Sequence, residues 1–160
     1  MTLRAATPLD ATRIATLWNV MIRDSLATFT TVEKSVAEVE QMIADRPGAF
    51  WVAGRDVQGF VTFGPFRNGP GYASTVEHSI VIAPEAQGCG LGRDLMTQAL
   101  TGAAARGHHA MIAAISGANP GAVFFHEMLG FDRVGHLPQV GRKSGQWLDL
   151  ILMQKNLSTP

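Results

Sequence analysis

Apolar residues recur at every third or fourth position in two early segments of the chain, and this spacing predicts two amphipathic helices. The first helix is expected to begin at Asp10, its N-cap, and to run to about Asp24. The second follows the Ser35–Glu38 stretch, which has the pattern of a capping box, and it ends at Arg46-Pro47-Gly48. A short strand over 3–6 is expected before both helices.

The rest of the chain contains shorter runs rich in β-branched and aromatic residues, which predict further strands. A helical stretch that closes at Gly107 and another over 119–129 separate some of these runs. The predicted order is β-α-α-β-β-β-α-β-α-β-β, an α/β (α+β) fold with one mixed sheet and helices on both faces. The predicted strands cover 49–54, 59–66, 75–82, 110–115, 131–137 and 147–153, with a polar loop over 138–146 between the last two.

Composition limits the class of protein. The chain has 160 residues, of which 46% are hydrophobic and 16% charged, so a single domain over 1–157 with a tail at 158–160 is expected. The 13 basic residues equal the 13 acidic ones, which argues against a nucleic-acid-binding protein. One cysteine cannot form an internal disulfide or a four-ligand zinc site. No apolar run is long enough for a membrane helix, and no signal peptide is recognisable, so a cytoplasmic location is expected.

A glycine-rich turn follows the run over 75–82 and opens a helix. Glycines at 88, 90 and 92 let the backbone approach a ligand, and N–H groups at a helix N-terminus bind phosphate without a lysine. The spacing does not fit a P-loop, in which lysine and then serine or threonine follow the last glycine, because Arg93 and Asp94 stand there. It also does not fit the dinucleotide-binding fingerprint, which lies near the first strand of its domain. On this feature alone, a turn without a ligand is an equal alternative.

Two motifs give the chain a family resemblance. Gln87-x-x-Gly90-x-Gly92, after a Val/Ile strand and a proline, resembles the pyrophosphate loop of the GCN5-related N-acetyltransferase superfamily. The Asn119–Phe131 stretch resembles a later segment of that family, an asparagine followed by a helix that ends in Gly-Phe. The order of predicted elements is also that of the family. The resemblance implies the acetyltransferase fold, acetyl-CoA as the acetyl donor, and no metal.

Three stretches resemble one branch, the enzymes that acetylate phosphinothricin, methionine sulfoximine and methionine sulfone. They are Thr75-Val76-Glu77, His126–Phe131 and Val140–Asp149. One position departs from that branch, because Ala73 stands where an arginine is often found, and a clamp for a substrate carboxylate is missing there. The resemblance implies a small-molecule amine as acceptor, of the amino-acid type, and a homodimer.

The resemblance also implies roles for individual residues. Glu77 is the expected general base and His126 the expected general acid, while the strand before the glycine loop pairs with the cofactor through its backbone. Residues expected at the acceptor are Phe29, Arg67, Tyr72, Thr75, Glu77 and Lys143. Those expected at acetyl-CoA are Ile80, Val81, Ile82, Gln87, Gly88, Cys89, Gly90, Leu91, Gly92, Arg93, Asn119 and Phe125.

Other interpretations of these residues stay open at the level of sequence. Glu77 could make a structural ion pair or face solvent, and His126 could be a helix residue bonded to a carbonyl. Cys89 lies in the loop with no base in the sequence beside it, so it is not the expected nucleophile. The whole chain could be a non-catalytic acyl-CoA-binding module, or an acetyltransferase of another amine or of a protein N-terminus.

Overall fold

The computed structural model describes residues 2–157, so the predicted tail at 158–160 lies outside the described residues. The described chain forms seven strands and four helices in the predicted order, with short 3-10 turns between some of them. The strands are β1 (Leu3–Ala5), β2 (Phe50–Ala53), β3 (Gly59–Pro65), β4 (Thr75–Ile82), β5 (Ala110–Ser116), β6 (Asp132–Lys143) and β7 (Gln146–Asn156). The helices are α1 (Ala11–Asp24), α2 (Val36–Asp45), α3 (Leu91–Ala105) and α4 (Pro120–Met128).

The described strands form one mixed sheet with the order β1-β2-β3-β4-β5-β7-β6. All neighbouring pairs are antiparallel except β4 and β5, which are parallel and are connected through α3. Helices cover both faces of this sheet, as predicted. On β3, Phe60 packs on Trp18 of α1 with 5.0 Å between ring centroids, whereas the adjacent Gly59 faces Leu91 of α3. No helix within 2–157 is long and apolar enough to cross a membrane.

The parallel pairing of β4 with β5 stops early, and this opens the sheet. The pairing covers three positions, of which Glu77 and Ile112 are the last, although β4 continues to Ile82 and β5 to Ser116. The other edge of β4 stays paired with β3 as far as Ile82. The strands therefore part, and one backbone edge of each is left without a strand partner.

The loop predicted over 138–146 is wrong in the structure, because most of it is strand. β6 runs to Lys143, β7 begins at Gln146, and only Ser144 and Gly145 form the turn. The register shifts between Leu137 and Gly141, where Gln139 has a φ of +53°. This irregularity accommodates Pro138 and Gly141, residues that usually interrupt a ladder, as a β-bulge does.

Asp10 does not cap α1 as predicted. Its backbone is already helical, and its side chain makes no capping hydrogen bond to that helix. The carboxylate instead accepts hydrogen bonds from both terminal nitrogens of Arg4, at 2.8 and 2.9 Å, and from the backbone N–H of Thr7 at 2.8 Å. These charge-assisted bonds lower the pKa of Asp10 and tie β1 to the start of α1.

Lys143, at the end of β6, anchors the segment that follows α1. Its Nζ donates to the carbonyls of Ile22, Ser25 and Thr28 at 2.7, 2.7 and 2.8 Å, and only 5% of the residue is exposed. The three protons of the ammonium group thus each have a carbonyl acceptor. This arrangement fixes the path of the chain between α1 and Phe29.

We expect Lys143→Met to lower the free energy of unfolding by about 3 kcal/mol, because it removes three charge-assisted hydrogen bonds and leaves buried carbonyls without a donor. Arg55→Met, at an exposed position in the turn between β2 and β3, is the control and should change the free energy by less than about 0.5 kcal/mol. Urea unfolding of both variants measures the difference. Equal stabilities of the two variants would contradict the anchoring role.

Candidate active site

The parting of β4 and β5 creates a cavity of about 370 Å³. Its lining comes from both open edges, from α4 and from the segment after α1 that Lys143 anchors. The residues predicted for catalysis or acceptor binding that lie here together are Phe29, Glu77 and His126. We call it the acceptor cavity; its other lining residues are Trp18, Met21, Ala27, Thr28, Thr30, His78, Ser79, Ile80, Ala113, Ala114, Ile115, Ser116, Asn119, Ala122 and Leu150.

Glu77 has no ion-pair partner among residues 2–157. It is half-buried, and burial raises the pKa of its carboxyl above the usual value of 4.5. The structure therefore does not support the alternative of a structural ion pair. A carboxylate whose proton affinity is raised in a cleft is suited to take a proton from a nearby amine.

A second cavity, of about 650 Å³, lies beside the glycine-rich turn, and we call it the cofactor cavity. Gly88 and Gly90 have φ angles of +78° and +89°, the left-handed region that favours glycine. No atom lies within 4 Å of a Cβ placed on Gly88, so the turn has an open face. Nine residues predicted to contact the cofactor line this cavity: Ile80, Ile82, Gln87, Gly88, Gly90, Gly92, Arg93, Asn119 and Phe125.

Three other residues of the predicted cofactor set do not line the cofactor cavity. Leu91 is buried in the core, where its side chain packs near Gly59. Val81 is also buried, on the opposite face of β4 from Ile80 and Ile82. The thiol of Cys89 donates to the carbonyl of Ala86 at 2.8 Å, within the turn. Leu91 and Val81 could therefore contact a cofactor only through the backbone, whereas Cys89 is exposed.

Asn119 lies where the two cavities meet, since it lines both. Its Oδ1 accepts from the N–H of Ala122 at 3.2 Å and so caps α4, which is the structural role left open by the sequence. The Nδ2 group has no partner within 2–157 and can donate to a ligand. Capping and ligand binding are therefore compatible at this residue.

His126 also lines both cavities, but its two ring nitrogens are occupied. Nδ1 lies 2.7 Å from the carbonyl of Ala122, and Nε2 lies 3.0 Å from Nε2 of His78. His78, which no sequence motif assigned to the site, also has its Nδ1 3.2 Å from the carbonyl of Ile112. Burial lowers the pKa of His126 and lowers that of His78 to about 3, so both rings are neutral at pH 7.

The remaining residues predicted at the acceptor do not line the acceptor cavity. Arg67, Tyr72 and Thr75 line a separate cavity of about 380 Å³, together with Arg46 and Arg106. Lys143 lies outside both of these cavities, with its ammonium group bonded to three carbonyls. Within 2–157 no lysine or arginine lines the acceptor cavity.

Sequence reasoning missed part of the acceptor cavity. Met21 and Ala27 belong to the end of α1 and the segment after it, where Phe29 was the residue predicted at the acceptor. Ser116 ends β5, at a position where a hydroxyl follows a run of apolar residues, and that change of character was the available signal. No group of three or more His, Cys, Asp or Glu residues that could hold a metal ion occurs in the described part of the chain.

Comparisons with known proteins identify the family of this chain. Residues 18–131 match the family described as the acetyltransferase (GNAT) family. The L-amino acid N-acyltransferase MnaT of Escherichia coli is 34% identical over 162 residues, an alignment that covers 98% of this chain and 94% of that enzyme. The L-methionine sulfoximine/L-methionine sulfone acetyltransferase of Pseudomonas paraeruginosa is 42% identical over 105 residues, which cover 66% of this chain and 61% of that enzyme.

A solved structure shows the same fold with a cofactor. The crystal structure of a GNAT superfamily phosphinothricin acetyltransferase from Sinorhizobium meliloti in complex with acetyl-CoA superposes with a TM-score of 0.91. It is 32% identical, and the match covers 97% of this chain and 87% of that one. The predicted fold is thereby confirmed.

We expect Glu77→Gln to raise the stability of the protein at neutral pH. The folded state raises the pKa of Glu77 above 4.5, so the folded protein binds this proton more tightly than the unfolded chain. The wild type therefore loses stability as the pH rises through the folded pKa, while the Gln variant does not share this loss. Melting temperatures at pH 4 and pH 8 should show an advantage of the variant that grows with pH. Exposed Glu40→Gln is the control, and an equal, pH-independent shift in both variants would contradict the burial effect.

Proposed function

Because this chain belongs to the GNAT acetyltransferase family, we propose that it transfers the acetyl group of acetyl-CoA directly to the amine of a small molecule of the amino-acid class. The observation that carries the proposal is the position of Glu77. This carboxylate is half-buried without an ion-pair partner, in a cavity that shares Ile80, Asn119 and His126 with the cavity at the glycine-rich turn.

The residues of the cofactor cavity suit acetyl-CoA. The turn around Gly88 and Gly90 presents backbone N–H groups at the start of α3, where the helix dipole favours a pyrophosphate, and Arg93 adds a positive charge. The unpaired edge of β4 beyond Glu77 offers backbone groups to the amides of the pantetheine arm. Acetyl-CoA supplies an activated acyl group that an amine can attack.

Glu77 acts as the general base in this proposal. An amino group is mostly protonated at pH 7 and must lose a proton before it can attack a thioester. The raised pKa of Glu77 increases its affinity for that proton, and its ionised form is the active one. His126 is less well placed to act as the general acid. Both of its ring nitrogens already have partners, so donation to a departing thiolate would require the ring to give up its contact with His78 or with the carbonyl of Ala122.

The size of the acceptor cavity supports a small acceptor. Its volume of about 370 Å³ is near the lower end of the range for small-molecule sites, and Phe29 forms part of its wall. The names of the relatives point to the same class of acceptor, namely methionine sulfoximine, methionine sulfone, L-amino acids and phosphinothricin. We therefore infer an acceptor with an α-amino group and a compact side chain.

A screen of free amino acids, their sulfoximines and sulfones, and phosphinothricin, followed by release of the CoA thiol, tests the proposed function. We expect at least one of these acceptors to be acetylated, and Glu77→Gln to lower kcat/KM at least 100-fold at neutral pH. Wild-type kcat/KM should also fall at low pH, where Glu77 is protonated. Tight CoA binding without thiol release for any acceptor would instead support a non-catalytic acyl-CoA-binding module.

We also propose that the enzyme is a homodimer. β6 is an edge strand whose residues are mostly exposed on both faces, an unusual state for a strand with apolar side chains. A second copy that covers this edge would bury them. The exposed apolar side chains of this edge and of the adjacent start of β7 form what we call the hairpin patch: Val134, Leu137, Val140 and Trp147. The expected cytoplasmic location stays a prediction, which cell fractionation would test.

Sedimentation equilibrium is expected to give twice the mass of one chain for the wild type. Val140→Asp should shift the equilibrium towards the monomer, because it places a charge in the hairpin patch. Leu9→Asp is the matched control, since Leu9 is 94% exposed and lies before α1, outside the patch. A monomeric wild type, or a dimer that Val140→Asp leaves unchanged, would refute this assembly.

A further inference from the structure

The buried pair of His78 and His126 has fewer ring N–H protons than contacts that need one. Three contacts link the pair and its surroundings: His126 Nδ1 to the carbonyl of Ala122, His78 Nδ1 to the carbonyl of Ile112, and Nε2 to Nε2. A carbonyl only accepts hydrogen bonds, so each of the two contacts with a carbonyl needs a proton on the ring nitrogen. The contact between the two Nε2 atoms needs a proton on one of them. Two neutral imidazoles carry only two such protons.

The distances indicate which contact has no proton. If both protons were on Nδ1, two lone pairs would face each other at 3.0 Å in a site closed by the ring of Phe131, which packs on both histidines. The contact of His126 with Ala122 is the shortest, at 2.7 Å, and the contact of His78 with Ile112 is the longest, at 3.2 Å. The neutral pair is therefore best satisfied when His78 Nδ1 has no proton.

We propose that His78 is a positioning residue that donates from Nε2 to Nε2 of His126 and thereby fixes the tautomer and orientation of His126. In this arrangement His126 is protonated on Nδ1, which donates to Ala122, and its Nε2 accepts from His78. The link ties α4 to β4 at the first position where β4 has no pairing with β5. His126 and Asn119 are consequently held at the boundary of the acceptor and cofactor cavities.

The tautomers are measurable without any assay of activity. In protein labelled with ¹⁵N-histidine, long-range ¹H–¹⁵N spectra at pH 8 distinguish protonated from unprotonated ring nitrogens. We expect His126 to be the Nδ1–H form and His78 to be the Nε2–H form. The signals of the other three histidines are assigned from the variants His108→Gln, His109→Gln and His136→Gln. The two signals that remain belong to His78 and His126. A spectrum in which both Nε2 atoms lack a proton, or in which His126 is protonated on Nε2, would overturn the proposal.

Two substitutions of His78 separate a link to His126 from a link to β5. The amide nitrogen of a glutamine takes the place of Nε2, so His78→Gln keeps a donor for His126. The amide nitrogen of an asparagine takes the place of Nδ1, so His78→Asn directs a donor to Ile112 and removes the one for His126. We expect His126 to keep its Nδ1–H form in the Gln variant and to give averaged tautomer signals in the Asn variant. An unchanged His126 signal in His78→Asn would contradict the positioning role.

The kinetic consequence rests on the proposed function. His78→Asn should raise KM for acceptor and acetyl-CoA about tenfold, while His78→Gln should stay within about threefold of the wild type. If the two variants have the same KM, the link does not position the site. If the wild type releases no CoA with any acceptor, the proposed function fails, whereas the wild-type spectrum still decides the tautomer. The wild-type spectrum also decides the tautomer if either His78 variant fails to fold.

Discussion

The early end of the pairing between β4 and β5 is the constraint on which the rest of the site depends. Beyond Glu77 and Ile112, each strand has an edge of backbone groups that no strand satisfies. Unpaired backbone groups in a protein interior are costly, so the opening must be supported by other donors and acceptors. In the tautomer proposed above, the ring of His78 supplies no donor to the carbonyl of Ile112, but its link to His126 joins α4 to the first unpaired position of β4. A ligand with amide groups would meet the need further along the edge.

A second support comes from the hairpin of β6 and β7, far away in sequence. Lys143 binds three carbonyls of the segment after α1, and Phe29 follows the last of them. A Cβ on Gly141 would collide with the ring of Phe29, so this strand position accepts only glycine if the ring is to keep its place. The wall of the acceptor cavity is thus set by contacts between the two ends of the chain.

Much of the fold was predictable because the signals are local. Helix periodicity, the capping serine at 35 and the turn glycines predicted nearly every element, including the glycine-rich turn that opens α3. The bulge at Gln139 was not predictable, since Pro138 and Gly141 have the same local character in a loop and in a bulged strand. The structural role of Lys143 could not be predicted from the sequence either, because the three carbonyls that accept its hydrogen bonds lie more than a hundred positions away. His78 was not predicted at the site, because it alternates with Glu77 along β4 and strand alternation alone places it on the opposite face, yet both residues line the cavity where the sheet opens.

The charged groups in and around the acceptor cavity limit how it can bind the carboxylate of an amino-acid acceptor. The cations that sequence reasoning offered to a substrate carboxylate are elsewhere: Arg67 lines a different cavity, and Lys143 is saturated by carbonyls. Ala73, where the related branch often has arginine, lies in the cavity of Arg67. The acceptor cavity offers hydroxyl groups such as those of Thr28 and Ser79 instead, and its one carboxylate would repel an anion placed near it. Hydroxyl groups bind a carboxylate more weakly than a guanidinium does, so selectivity among amino acids has to come mainly from the shape of the cavity around the aromatic wall.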